Sequence, residues 1–358
     1  MKRKIIFSLI VTTLFFVGAE LLARQFVVPT GAMVQVHSGL SERTTWFSKR
    51  GRQVSAAYQH RSTGSFSTDM KHPRIAVLGG SSVHGGSNGV SQRQEFPDLL
   101  GKMLGVQTLN LGNPSLDSHD LLSILEELKA YPMSAWVVYT GHNDFGNTYF
   151  HQRYKGWSGT VGAYFEVWTS RLALFQLGSS VLKKPKGNTA KPNPKKQFSG
   201  PHITYAQKLR ALSYFRSNIE RMIWLAQQNG VPIIFVVPIR DIQRAPLGGC
   251  HESPCATELY DEGIALRESD PKQASILLKK AADADEVPLR VITQAQDFVR
   301  SLSGGGVYIV DAPELLSQSG IVPSELFQDH VHLTMTGHQK LAEQIVMIIK
   351  KENLEVQR

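Results

Sequence analysis

RIAVLGGSSVHGG, residues 74–86, sets four consecutive apolar residues, Ile75 to Leu78, directly before a glycine-rich turn. A short uninterrupted apolar run bounded by glycines suits a central parallel strand covered on both faces. Gly79 and Gly80 let the backbone turn sharply and keep side chains away from whatever approaches Ser81. Alone, Gly-Gly-Ser-Ser also describes an ordinary strand-to-helix turn. The segments on either side decide between the two readings.

Downstream, further strands are expected at 106–111 (VQTLNL), 135–139 (AWVVY), 231–237 (VPIIFVV) and 307–310 (VYIV). Helical patterns separate them, at 96–104, after Asp117 or Ser118 as cap, at 205–229 and at 291–302. A last helix over about 337–351 follows Thr336, with Gln339 three residues on as a capping box. Strands alternating with helices predict an α/β fold: a five-stranded parallel sheet in a three-layer α/β/α sandwich. In such sheets functional residues gather beyond the carboxyl ends of the strands. Ser81, the turn 110–115, residues 141–144 and residues 329–332 all fall there.

Upstream, Lys2, Arg3 and Lys4 precede the apolar run Ile5 to Ala19, the layout of an export signal. Val17-Gly18-Ala19 offers small residues for cleavage, while Leu21 to Ala23 extend the run toward membrane-spanning length. Residues 1–26 are thus expected to be a signal anchor or signal peptide that associates with the membrane and leaves the domain outside the cytoplasm. Residues 27–73 show no clear helical or strand period and read as a polar extracytoplasmic connection. The formal charge of +9 over 358 residues is concentrated in this start and in a lysine run after Lys183, with no groove-reading helix or stripe, so no nucleic-acid partner is expected.

Two insertions interrupt the alternating pattern of residues 74–351. The first, 145–202, begins with Tyr149, Phe150, Tyr154, Trp157, Tyr164, Phe165 and Trp168, which suit either a subsidiary core or a substrate wall; a helix is expected at 170–181. It ends in KKPKGNTAKPNPKKQFSGPH, with six lysines, four prolines and no acid, a solvated loop. The second, 250–288, is expected to fold as a helical hairpin. Its Tyr260, Gly263, Ala274, Ala281 and Pro288 resemble a single tetratricopeptide repeat. Cys250 and Cys255, the only cysteines, suit a small disulfide loop in an oxidising compartment. Zinc binding with His251 is the alternative, but too few ligands lie nearby in sequence to close a site.

A serine hydroxyl needs a base to attack an acyl carbon, and that base needs a carboxylate to orient it. DHVHLT supplies both as Asp329 and His332; His330 and His84 compete for the role of base. The oxyanion needs donors, which the amide of Asn143 in GHND and the backbone N–H of Ser81 can provide. Together these segments resemble the SGNH hydrolases, the GDSL-type esterases and lipases. Gly79-Gly80-Ser81 corresponds to the first family block, with Gly80 in place of aspartate. NLGNPS corresponds to the second, its oxyanion glycine falling on Ser115, with Gly112 as an alternative donor. Gly141 to Asp144 and Asp329 to His332 correspond to the third and fifth. The resemblance implies a flavodoxin-like fold and neither metal nor organic cofactor.

It also implies a serine esterase working through an acyl-enzyme; the location outside the membrane and the aromatic residues of the first insertion favour an acylated carbohydrate, or else a small ester, as substrate. An O-acetyl ester of envelope or secreted polysaccharide is the expected target. The same scaffold can serve an O-acetyltransferase, a lipase or a thioesterase, and a non-catalytic envelope binding protein is the alternative from another class.

Overall fold

The structure is a computed structural model, and it describes residues 2–23, 46–56, 64–69, 72–85, 94–150 and 202–354. In chain order the elements are α1 (Lys2–Ala23), β1 (Phe47–Arg50), β2 (Gln53–Ala56), β3 (Ser65–Ser67), β4 (Arg74–Gly79), α2 (Ser81–His84) and α3 (Phe96–Leu104). β5 (Gln107–Asn110), α4 (Ser118–Leu128), β6 (Ala135–Tyr139) and α5 (His142–Phe150) follow. Beyond residue 201 come α6 (Tyr205–Gln228), β7 (Ile233–Val236), α7 (Ala256–Ala265), α8 (Pro271–Ala284), α9 (Thr293–Arg300), β8 (Val307–Val310), α10 (Ala312–Leu316) and α11 (Met335–Lys351).

The main sheet has five parallel strands in the order β5-β4-β6-β7-β8. The apolar run of β4 is continuous because each face of the sheet buries alternate residues. Ala76 and Leu78 join a core with residues of α4, α6 and α9, whereas Ile75 and Val77 face a second core built with α3 and α11. All six residues of β4 are buried, so truncating Leu78 to alanine would cost about 2–5 kcal/mol. The five expected strands are present, and the strand order puts β4, with Ser81 behind it, beside the centre.

Three expectations are corrected. The connection before Arg74 contains a three-stranded antiparallel sheet, β1-β2-β3. Its strands have only three or four residues, too short to reveal alternation, yet Phe47, Val54, Ala56 and Phe66 are buried. Trp46 anchors it to α4: its backbone N–H reaches the Glu127 carboxylate at 2.7 Å and its indole N–H reaches Ser123 Oγ at 2.8 Å. This region therefore packs on the main domain. Second, α11 is capped by Thr334, not Thr336: Thr334 Oγ1 accepts the Gly337 N–H, and Gln339 turns instead to Glu343. Third, the short helix α10, capped by Asp311, was not expected.

The second insertion contains two helices packed as a hairpin. α7 and α8 pack through Gly263 against Leu277 and Leu278, and the pair docks on Ile242 and Ile321. Cys250 and Cys255 form a disulfide. In the first insertion Tyr149 is buried with Ile203 and Val287, a subsidiary core. Tyr154 to Trp168, the helix at 170–181 and the lysine-rich loop lie outside the described residues. The described side chains of α1 from Val11 to Leu22 are mostly exposed. Among the described residues no helix is long and apolar enough to cross a membrane.

Candidate active site

Ser81 stands at the first position of α2, immediately after β4, so its backbone N–H lies ahead of the helical hydrogen-bond ladder. Its Oγ lies 2.8 Å from His332 Nε2, and His332 Nδ1 lies 2.6 Å from Asp329 Oδ2. Asp329 Oδ1 accepts the N–H groups of Val331 and His332 at 2.9 and 2.8 Å. Burial pushes this carboxyl up, but hydrogen bonds from the His332 ring and from those two amides outweigh it and hold Asp329 well below the usual carboxylate range. Ionised, it accepts from Nδ1–H and leaves the Nε2 lone pair facing the serine hydroxyl.

The two competing histidines are engaged otherwise. His330 Nε2 donates to Ala245 O at 3.1 Å, directing the ring away from Ser81. His84 ends α2. His142, in the third block, accepts the Val291 N–H on Nδ1 at 3.2 Å. Burial, aided by the nearby His332 and Arg240, pushes it down to about 3, so it stays neutral.

Asn143 Nδ2 donates to Leu116 O at 2.7 Å, and Asn147, one turn later on the same face of α5, donates to Ser115 O at 3.0 Å. Both side chains clamp the turn after β5 against α5. Asn143 keeps a second amide hydrogen, and it lines a small cleft with Gly80, Ser81, Leu116, Tyr139, Thr140 and His142. A Cβ on Gly80 would come within 2.3 Å of Asn143 Nδ2, so the bare backbone makes room for the amide.

Ser115 adopts φ 65°, the left-handed backbone open freely to glycine and costing other residues about 1–2 kcal/mol. The turn thus holds a left-handed backbone with a serine in it, and Ser115 does not line the cleft. Gly112 is set aside as a donor. Its N–H is held by Asn110 Oδ1 at 3.0 Å, and its Cα packs so tightly on α2 that a Cβ would meet His84 N at 2.5 Å.

Residues that the sequence reading passed over hold the site in place. Asp144, fully buried, accepts Ser118 N–H at 3.2 Å, the Ser118 hydroxyl and Thr140 Oγ1 at 3.2 Å. Asn218 of α6 supports Ser118 Oγ at 2.9 Å. Under the His332 loop, Asp241 N donates to His330 O at 3.0 Å, Ser82 Oγ to Val331 O at 3.2 Å and Arg244 Nη2 to Gln328 O at 3.0 Å. Arg290, fully buried, ties Asp241 O and Arg244 O to Asp285. Polar residues scattered over loops carry no periodic signal; only a buried asparagine or arginine in the fold reveals them.

Asp144 yields a pH prediction. Burial, then the charge of Asp117, raises it to about 7 against its three hydrogen bonds. Between the ordinary carboxylate value near 4 and that raised value the folded state binds more protons than the unfolded one, so this group's contribution to stability falls as pH rises. Asp144→Asn loses one acceptor and is expected to be less stable than wild type at pH 4.5, with the deficit narrowing toward pH 7.5. Urea denaturation at both pH values checks this; a deficit that widens would reverse the assignment.

No protein-family model matches the chain, and no curated protein matches it. Among solved structures, it is similar to a member of the lipolytic protein G-D-S-L family from Veillonella parvula, at 10% identity over 78% of this chain and 98% of that one, with a TM-score of 0.38. A GDSL-like lipase from Bacteroides thetaiotaomicron matches at 13% identity over 78% and 86% of the two chains, TM-score 0.34. Axe2, an acetylxylan esterase from Geobacillus stearothermophilus, matches at 13% over 80% and 96%, TM-score 0.34. In the order of its sequence blocks and the geometry they form around Ser81, the chain is similar to the SGNH hydrolases.

Proposed function

We propose that this chain is an exported serine esterase of the SGNH type that cleaves O-acyl esters, with acetyl as the acyl group and a carbohydrate as the alcohol. The observation that carries the reading is the continuous chain of contacts from Ser81 Oγ through His332 to Asp329, beside the amide of Asn143.

Ser81 Oγ attacks the ester carbonyl carbon as its proton passes to His332 Nε2. The carbonyl oxygen becomes an oxyanion, which the Ser81 N–H and Asn143 Nδ2 stabilise. The carbon–oxygen bond to the alcohol then breaks, and His332 returns the proton to the departing oxygen. Water, deprotonated by the same imidazole, hydrolyses the acyl-enzyme and restores Ser81.

Export is supported by the basic start and apolar run of residues 2–19, and by the Cys250–Cys255 disulfide, a bond that persists in oxidising compartments. The acetyl assignment is supported by the small cleft beside Ser81, lined by Leu116, Tyr139 and His142. Hydrolysis of p-nitrophenyl acetate and octanoate tests it. The acetate is expected to give a kcat/KM at least about tenfold higher, the effect of a few methylenes without a pocket. Faster octanoate turnover would sink the acetyl assignment and leave a long-chain esterase. Acetate release from acetylated xylan, against a deacetylated control, tests the carbohydrate.

A further inference from the structure

Glu286, two residues past the end of α8, is a buried carboxylate at a solvent-facing corner: its side chain is 3% exposed, whereas those of His202 and His251 are 46% and 58% exposed. Its two oxygens are used differently. Oε1 accepts the backbone N–H groups of His251 and Glu252 at 2.6 and 2.9 Å. Oε2 faces two imidazoles at once, 2.8 Å from His251 Nδ1 and 3.0 Å from His202 Nδ1. The rings lie 3.4 Å apart between centroids with a tilt of 31°, presenting the same nitrogen to one point.

The backbone holds all three residues. Ile203 N donates to Glu286 O at 3.1 Å, pinning the segment that carries His202 alongside residue 286. His251 and Glu252 lie inside the ring closed by Cys250–Cys255, and the His251 ring rests on Gly249. Nearby cations are committed elsewhere: Arg290 pairs with Asp285, and Lys208 donates to Asp283 O. Among the described residues the two histidines are the only ion-pair partners of Glu286.

We propose that His202, His251 and Glu286 form a site for a divalent transition-metal ion, with zinc as the probe occupant, that staples the disulfide loop and the start of α6 to the end of α8. Two imidazole nitrogens and one carboxylate oxygen are the donor set of zinc, cobalt, nickel and copper, not of the oxygen-loving magnesium or calcium. The three ligand atoms lie within 4.8 Å of one another. With bonds of about 2.0–2.2 Å, the histidine nitrogens need to open from the carboxylate by only about half an ångström, a motion that exposed rings make at little cost. The exposed side of the rings leaves the fourth position to water. Sequence reading could not assemble this set, because His202 and Glu286 come from the outer ends of separate insertions. The site shares no residue with the Ser81 constellation and stands or falls independently of the esterase reading.

The test is isothermal titration of zinc chloride into tag-free, chelator-stripped full-length protein at pH 7.5. One ion per chain is expected, with affinity weakened at least tenfold by His202→Ala, His251→Ala and Glu286→Gln, and with a zinc-induced rise in Tm that these variants lose. His202 is half exposed, and among the described residues its ring bonds no backbone group, so His202→Ala is expected to preserve the fold, which circular dichroism verifies. Absence of stoichiometric binding in the wild type would overturn the site. So would unchanged zinc affinity in His202→Ala, which would place the ion elsewhere.

Discussion

Ser81→Ala and His332→Ala should each lower kcat/KM on a small acetyl ester by at least about ten-thousandfold, and the double variant should be little worse than either, because nucleophile and base act as one unit. The expectation follows from the 2.8 Å contact between Ser81 Oγ and His332 Nε2. A fluorophosphonate probe should label wild type and not Ser81→Ala. Ser82→Ala is the informative neighbour. Ser82 is buried and donates to Val331 O, so its loss should loosen the His332 loop and reduce turnover only modestly, with labelling intact. If Ser82→Ala abolishes labelling and Ser81→Ala keeps it, the nucleophile is assigned one residue too early. If neither changes labelling, the serine mechanism fails and a binding protein on this scaffold becomes the better account.

Asn143→Ala should lower kcat by about a hundredfold to a thousandfold, the usual cost of one oxyanion donor, while leaving the protein able to react with the probe. The structure extends this to a residue with no side chain. Because a Cβ at Gly80 would collide with Asn143 Nδ2, Gly80→Ala should displace the amide and reproduce much of the same loss. In a double-mutant cycle the two changes should be far from additive, since once the amide is gone there is nothing left to displace. Additive losses would mean that Gly80→Ala acts through the backbone of the turn and not through Asn143.

How much of this was legible in the sequence depends on the kind of signal. The five parallel strands were readable because burial on both faces leaves continuous apolar runs such as Ile75 to Leu78 and Ile233 to Val236. That Ser81, Asn143, Asp329 and His332 come together was readable because each follows a strand or precedes the last helix, where a parallel sheet collects such residues. The small sheet from Phe47 to Ser67 was not, since strands this short show one or two buried residues each. The choice of Thr334 over Thr336 as cap turned on where the His332 loop ends, a tertiary matter. That the Gly112 N–H is already taken by Asn110, and so is no oxyanion donor, shows only in the folded turn packed on α2. Asn147, Ser118 and Asn218, which fix the turn after β5 and its link to α5, lie in helices where polar residues are ordinarily solvent-facing; only their burial distinguishes them.

The separation of 251 residues between Ser81 and His332 has a consequence in time. At a synthesis rate of about 5–20 residues per second, some ten to fifty seconds pass between the emergence of the serine from the ribosome and that of its base. For that interval the hydroxyl has neither Asp329 nor His332 to activate it, even where β4, β5 and β6 have already paired. The loop that delivers the base leads straight into α11, which packs on one face of the sheet, so the nascent chain carries a serine without its activating partners until residues 329–332 have been made. On the proposed reading of an exported esterase, this order of assembly keeps cytoplasmic esters out of its reach while the chain is being made.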